Sequence, residues 1–97
     1  MSDPEITREE NDSKGRYMLR QEGGTAELTY SRLGGAVIII DHTAVPDALR
    51  GTGAGRRLVE RAVADARAEG RKIVPLCPFT KAQIDRTPEW QDVLQGR

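Results

Sequence analysis

The chain has 97 residues, and its 15 lysines and arginines balance 15 aspartates and glutamates, so the formal net charge is zero. This length suits one domain, and the balanced charge argues against a general nucleic-acid binder, which carries a basic excess on one face. A single cysteine and a single histidine exclude an internal disulfide and cannot supply the ligands of a zinc site.

The start of the chain and its apolar runs indicate where the protein resides. Ser2-Asp3-Pro4-Glu5 is polar and acidic, unlike a signal peptide, and the longest apolar run, at 36–40, is too short to cross a bilayer. A lone cysteine suits a reducing compartment. We therefore expect a cytoplasmic protein without membrane contact, with a flexible tail at 1–14 and one domain at 15–97.

Three antiparallel strands are predicted in the first half of the chain. Alternating side chains predict strands at 16–22 and 26–31, and Gly23-Gly24 between them is typical of a hairpin turn. After a second glycine turn, the run at 36–40 is apolar on both faces, which predicts a central strand covered on both sides. This strand should continue to Val45, because Pro46 then ends its pairing.

The second half predicts a crossover helix, one more strand and short helices. Apolar residues at helical spacing indicate a helix at 54–69 that Gly70 terminates, followed by a strand at 72–77. A helix between two strands is a crossover, so the third and fourth strands should be parallel. Short helical segments are predicted at 79–85 and 88–95. The predicted class is α+β, a mixed, mostly antiparallel sheet of about four strands with a βαβ crossover helix and short C-terminal helices.

The heptapeptide Arg50-Gly51-Thr52-Gly53-Ala54-Gly55-Arg56 lies directly before the predicted crossover helix. Glycines allow backbone amides to approach a bulky anion, and a helix N-terminus adds unpaired N–H donors with a partial positive charge. The heptapeptide and Arg57 therefore predict a phosphate-binding loop, with a turn that binds no ligand as the alternative. The spacing excludes a P-loop, and Arg56 stands where a dinucleotide-binding motif has its last glycine.

The spacing Arg50-x-x-Gly53-x-Gly55 resembles the coenzyme A pyrophosphate loop of the GNAT (GCN5-related) N-acetyltransferase superfamily. His42-Thr43-x-Val45-Pro46, Pro75-x-Cys77 with Phe79, and Pro88-Glu89-Trp90 extend the resemblance over residues 42–90, to a subfamily of minimal stand-alone members. The resemblance implies a GNAT-like acyl-CoA N-acyltransferase fold, with acetyl-CoA or coenzyme A as co-substrate and no metal. In this superfamily coenzyme A lies where two parallel strands splay apart, beside the loop that opens the intervening helix.

The resemblance also assigns the residues that would bind coenzyme A. The backbone of the strand end would contact the pantetheine arm, and a strand amide near Val45 would stabilise the oxyanion. The glycine loop would hold the pyrophosphate, while Arg57 is equally well explained as a solvated charge. The predicted set is Thr43, Ala44, Val45, Arg50, Gly51, Thr52, Gly53, Ala54, Gly55 and Arg56.

Cys77 and His42 are the candidate catalytic residues. Cys77 precedes a predicted helix start, which stabilises a thiolate, and the resemblance implies a reactive cysteine that accepts the acyl group. The alternative is a buried small hydrophobic residue. His42 is the residue type suited to proton transfer, but we favour a core histidine, because neighbouring Asp41 should point to the opposite sheet face. Phe79 and Trp90 are expected to pack the C-terminal helices.

The expected function is transfer of an acetyl group from coenzyme A to an amine of a small molecule or a protein, by a monomer or weak dimer. Two alternatives stay open: a non-catalytic module that binds coenzyme A or its thioesters, and a nucleotide-phosphate binder unrelated to coenzyme A. The chain lacks the N-terminal helices and final strand pair that shape the acceptor pocket in the superfamily. Both tyrosines, Tyr17 and Tyr30, fall in early strands, so no general acid is assigned.

Overall fold

A five-stranded mixed sheet organises the computed structural model, which describes residues 6–96. The strands β1 (Ile6–Glu10), β2 (Lys14–Gln21), β3 (Gly24–Leu33), β4 (Val37–Ala44) and β5 (Lys72–Pro75) lie side by side in chain order. The first four are antiparallel and β5 runs parallel to β4, which confirms the predicted fold class. The helices are α1 (Ala54–Glu69), α2 (Pro78–Asp85) and the 3₁₀ helices Asp47–Leu49 and Pro88–Val93.

The expectation of a flexible tail at 1–14 is wrong for residues 6–14, because Ile6–Glu10 forms the edge strand β1. Ile6 is buried, and the charged side chains of the strand find partners across the fold. Arg8 donates to Glu69 on α1 at 2.6 Å, and Glu10 accepts from Tyr30 at 2.6 Å. These partners lie 20 or more positions away, so the segment reads as a solvated tail from the sequence alone. Residues 1–5 lie outside the described part of the chain.

The core lies between α1 and one face of the sheet. Its members share that face or the apolar stripe of α1, and they include Tyr17, Leu19, Leu28, Ile38, Ile40, Leu58, Val59, Val63 and Ile73. On the opposite face of β4, Val37 and Ile39 are only half-buried. The expected burial of both faces of the central strand is therefore wrong.

The β2–β3 turn packs against the segment that leads into the glycine loop. A Cβ at Gly23 would lie 3.1 Å from the Ala48 Cβ, and one at Gly24 would lie 3.2 Å from the Pro46 ring. Both glycines also have positive φ angles, of 106° and 149°. Larger residues here would push away the chain at 46–48, so this turn helps to position the loop.

We expect the fold to lose stability in acid, because the ionised carboxylate of Glu10 stabilises it. The Arg71 guanidinium, 2.8 Å away, lowers the pKa of Glu10 to about 2, more strongly than partial burial raises it. Since an unfolded glutamate has a pKa of about 4.3, Glu10 stabilises the fold above about pH 4.3 and loses this effect as the pH falls through about 2. We expect Glu10→Gln to lose about 1.5–3 kcal/mol near neutral pH, the range for hydrogen bonds to a charged group.

Urea denaturation over a series of pH values measures this difference. The difference in unfolding free energy between the wild type and Glu10→Gln should narrow below about pH 4.3 and vanish as the pH falls below about 2, where the wild-type carboxyl becomes neutral as well. Glu60→Gln, at an exposed position of α1, is the control and should change little at any pH. A gap that does not depend on pH would mean that the charge of Glu10 does not stabilise the fold.

Candidate functional site

Strands β4 and β5 separate at the carbonyl of Ile40. Their parallel pairing ends at Ile40 and Pro75, and the amides of Leu76 and Cys77 both donate to the Ile40 oxygen, each at 3.1 Å. Beyond this point β4 continues to Ala44, whereas the segment that follows β5 turns away into α2. The two strands diverge, and a cleft opens between them.

A β-bulge changes the orientation of the residues at this separation. Thr29 pairs with His42 and Tyr30 pairs with Ile40, so Asp41 is the extra residue of β4. As a result Asp41 and His42 are both exposed, and Asp41 accepts a hydrogen bond from the Ser31 hydroxyl at 2.9 Å. The favoured interpretation of His42 as a core histidine is therefore wrong, because the bulge interrupts the alternation of side chains.

The cleft has a volume of about 610 Å³ and is bounded by three elements. The end of β4, the loop with the first turn of α1, and α2 line it with Thr43, Val45, Leu49, Arg50, Gly51, Gly53, Ala54, Gly55, Arg56, Phe79, Gln83 and Arg86. Eight of the ten residues predicted to bind the cofactor belong to this lining, and Ala44 and Thr52 do not. Thr52 instead stabilises the loop, since its hydroxyl donates to the Leu49 carbonyl at 2.6 Å.

The three glycines of the loop serve different purposes. Gly51 and Gly53 have φ angles of 82° and 83°, and a Cβ on either would meet nothing within 4 Å. Their conformation therefore requires glycine, while the space beside them is open. Gly55 is required by packing, because a Cβ there would lie 2.7 Å from the Phe79 ring. Phe79 thus lines the cleft and is 38% exposed, so the expectation that it packs the C-terminal helices is wrong.

Backbone donors of the first turn of α1 are available to a ligand. The first helical hydrogen bond runs from the Arg57 amide to the Gly53 carbonyl at 2.9 Å. Within residues 6–96, the amides of Gly53, Gly55 and Arg56 have no hydrogen-bond partner. Such amides at a helix N-terminus bind anions.

Arg56 joins the first turn of α1 to the C-terminal segment. Its guanidinium donates to Gln83 at 3.0 Å and to the Thr87 hydroxyl at 3.2 Å. It also lies 4.5 Å from the centre of the Trp90 ring, and Trp90 is buried as expected. All three partners are neutral, so the positive charge of Arg56 is not compensated. Arg50, in contrast, pairs with Asp47 at 3.1 Å, and both side chains are largely exposed.

Cys77 lies directly before α2 and beside two threonine hydroxyls. Its Sγ is 3.6 Å from the Thr43 Oγ1, which is 3.2 Å from the Thr80 Oγ1. Burial raises the pKa of the thiol, but the amides of Thr80 and Phe79 and the two hydroxyls outweigh this effect, so the pKa lies below its ordinary value. Cys77 is 5% exposed and does not line the cleft.

Besides Leu49, which lines the cleft, sequence reasoning missed three residues of this region. Thr80 lies fully buried at the thiol, and Gln83 and Arg86 line the cleft from α2. The only signal for Thr80 is its position in the first turn of the helix that begins after Cys77, where a side chain returns toward the helix start. Gln83 and Arg86 read as ordinary solvated helix residues.

The thiol environment predicts a pKa change on removal of one hydroxyl. Thr80→Val keeps the side-chain shape but removes a hydrogen bond to the thiolate, so the pKa of Cys77 should rise toward its ordinary value. The ultraviolet absorbance of the thiolate, followed against pH and compared with Cys77→Ala, reports this change at one site because the chain has one cysteine. Thr87→Val, at another buried threonine, is the matched control and should leave the titration unchanged. An identical titration of Thr80→Val and the wild type would contradict the assignment.

Comparisons with known proteins identify similar chains. The sequence profile of the GCN5-related N-acetyl-transferase family matches residues 16–93. The solution NMR structure of a GCN5-like putative N-acetyltransferase from Staphylococcus aureus is 35% identical, with a TM-score of 0.74 over all of this chain and 93% of the other. No match was found among curated proteins. In the described part of the chain, no helix is long and apolar enough to span a membrane.

Proposed function

The chain belongs to the GCN5-related N-acetyltransferase family, as its motifs predict, and we propose that it moves an acetyl group from acetyl-CoA to an amine. The main support is the cleft at the separation of β4 and β5. There, unpaired amides of the glycine loop meet a lining that contains three arginines and no acidic residue. The volume of about 610 Å³ is typical of small-molecule and cofactor sites.

Each part of acetyl-CoA has a proposed partner in the cleft. The pyrophosphate binds the amides of Gly53, Gly55 and Arg56, with Arg50 beside them. The pantetheine arm runs along the end of β4 at Thr43 and Val45. The thioester then lies near the separation of the strands, where the Val45 amide stabilises the oxyanion that forms during transfer.

Direct transfer needs no protein nucleophile. The amine nitrogen attacks the thioester carbonyl, a C–N bond forms, the C–S bond breaks, and the proton from the amine ends on the thiol of coenzyme A. A route through Cys77 first forms a thioester on Sγ and releases coenzyme A, after which the amine attacks that thioester. The lowered pKa of Cys77 supports the second route. Its burial requires that the side chains over Sγ move first.

One observation favours the alternative, a module that binds acyl-CoA without turnover. The residues that line the cleft include no Asp, Glu, His or Tyr, so no general base or acid faces it from the described part of the chain. His42 remains a proposed proton acceptor at the exposed side of the separation.

Acetyl-CoA should raise the melting temperature and ATP should not, because binding needs the β4 contacts as well as phosphate contacts. Saturation at a hundred times the dissociation constant stabilises the folded state by about 2.7 kcal/mol. Gly53→Ala should lose the shift, since it places a Cβ in the open space beside the loop. A thermal shift assay with both ligands measures each effect.

Gly70→Ala is the matched control for this variant. Gly53 and Gly70 flank α1, both have positive φ angles, and a Cβ at either meets no neighbour within 4 Å. Both variants should lose roughly 1–2 kcal/mol from strain, but only Gly53→Ala should weaken acetyl-CoA binding. Equal acetyl-CoA binding by the two variants would mean that the glycine loop is a turn that binds no ligand. Equal shifts in melting temperature with ATP and acetyl-CoA would contradict the proposed ligand.

Cys77→Ala separates the two catalytic routes. If Cys77 accepts the acyl group, incubation with acetyl-CoA and no amine adds one acetyl mass to the wild type, and Cys77→Ala loses this adduct. Cys77→Ser keeps the side-chain volume with a weaker nucleophile and controls for packing. Intact-mass spectrometry and thiol release with an amine acceptor measure both steps. No wild-type adduct, together with unchanged turnover in Cys77→Ala, would leave Cys77 a packing residue.

A further inference from the structure

Arg86 lines the cleft, but none of the ligand contacts proposed above involves it. It follows the last residue of α2, and its amide donates to the Ala82 carbonyl at 3.2 Å. Its side chain lines the cleft from α2, an element separate from the glycine loop. Among the residues that the structure describes, its guanidinium has neither a carboxylate nor another hydrogen-bond partner.

Most arginines that the structure describes outside the cleft have carboxylate partners, although Arg20 on β2 has none. Arg8, Arg16, Arg67 and Arg71 form ion pairs with carboxylates at 2.6–3.2 Å. In the cleft, Arg56 has only neutral partners and Arg86 has none within residues 6–96. The cleft therefore contains two arginines whose positive charge no carboxylate within residues 6–96 compensates, which favours a polyanionic ligand there.

The positions of the two arginines distinguish two phosphate sites. Arg56 is held at the loop by Gln83 and Thr87, so it stays beside the amides that bind the pyrophosphate. Arg86 directly follows α2, so it approaches the cleft from a part of the chain separate from that loop. A second, separate phosphate is the ligand group that fits this position.

We infer that Arg86 binds the 3′-phosphate of the coenzyme A ribose and makes the site select coenzyme A over 3′-dephospho-coenzyme A. The inference rests on the proposed function, because coenzyme A carries this phosphomonoester in addition to its pyrophosphate. Arg86 is thus a specificity-determining residue of the cleft, distinct from the loop that holds the pyrophosphate.

Isothermal titration of the full chain with the two ligands tests the inference. The wild type should bind 3′-dephospho-coenzyme A about tenfold more weakly than coenzyme A, a difference of about 1.4 kcal/mol. Arg86→Gln removes the charge and should weaken coenzyme A binding by the same factor. It should leave 3′-dephospho-coenzyme A binding unchanged, because that ligand lacks the group that Arg86 contacts.

Two further variants make the result specific. Arg20→Gln, on β2 outside the cleft, should change neither affinity, and Arg50→Gln should weaken both ligands equally because it acts at the pyrophosphate. Equal wild-type affinities, an equal loss of both ligands in Arg86→Gln, or loss of selectivity in Arg50→Gln would each overturn the inference and leave the proposed function intact. Binding of neither ligand by the wild type would overturn the proposed function as well. Circular dichroism checks that every variant folds.

Discussion

The divergence of two parallel strands at one carbonyl is the constraint on which the rest of the site depends. The Ile40 oxygen accepts hydrogen bonds from the amides of both Leu76 and Cys77, and within residues 6–96 no further backbone pairing joins β4 to the segment after Pro75. A parallel pair that stops in this way leaves a cleft between two strand ends. Where this pairing ends, the chain turns into α2, so Cys77 lies at a helix start and the Phe79 ring lies against Gly55.

Charge pairing divides the molecule into a structural side and a binding side. At the β1 edge, Arg8, Glu10, Glu69 and Arg71 satisfy one another and attach the edge strand to α1. At the cleft, Arg56 is oriented by neutral partners, so its position is fixed while its charge stays available. A net charge of zero is therefore compatible with a locally positive surface, and the ion pairs show which of the arginines keep their charge available.

The thiol of Cys77 has two properties, of which one favours a packing role and the other favours a catalytic role. Its low exposure is typical of a packing residue, whereas the amides and hydroxyls around it favour the thiolate. Thr43 connects these environments, since it lines the cleft and also contacts Sγ. A ligand that displaces Thr43 would therefore change the environment of the thiol directly.

The sequence by itself determined the features that depend on local patterns. Helical periodicity and Gly70 placed α1 at 54–69, alternation placed β2 and β3, and the crossover made β4 and β5 parallel. The glycine loop was also readable, because φ angles and helix starts follow from neighbouring residues.

The tertiary structure alone decided the features that depend on partners distant in the chain. Strand β1 forms because Arg8 and Glu10 meet residues more than 20 and 60 positions away, including Arg71. The bulge that exposes His42 is a mismatch between β3 and β4. The neutral partners of Arg56, the burial of Thr80 against Thr43, and the unpaired charge of Arg86 in the cleft all arise where α2 packs on the strand ends. No periodicity within a short segment encodes these contacts, because each is set by how separate elements come together.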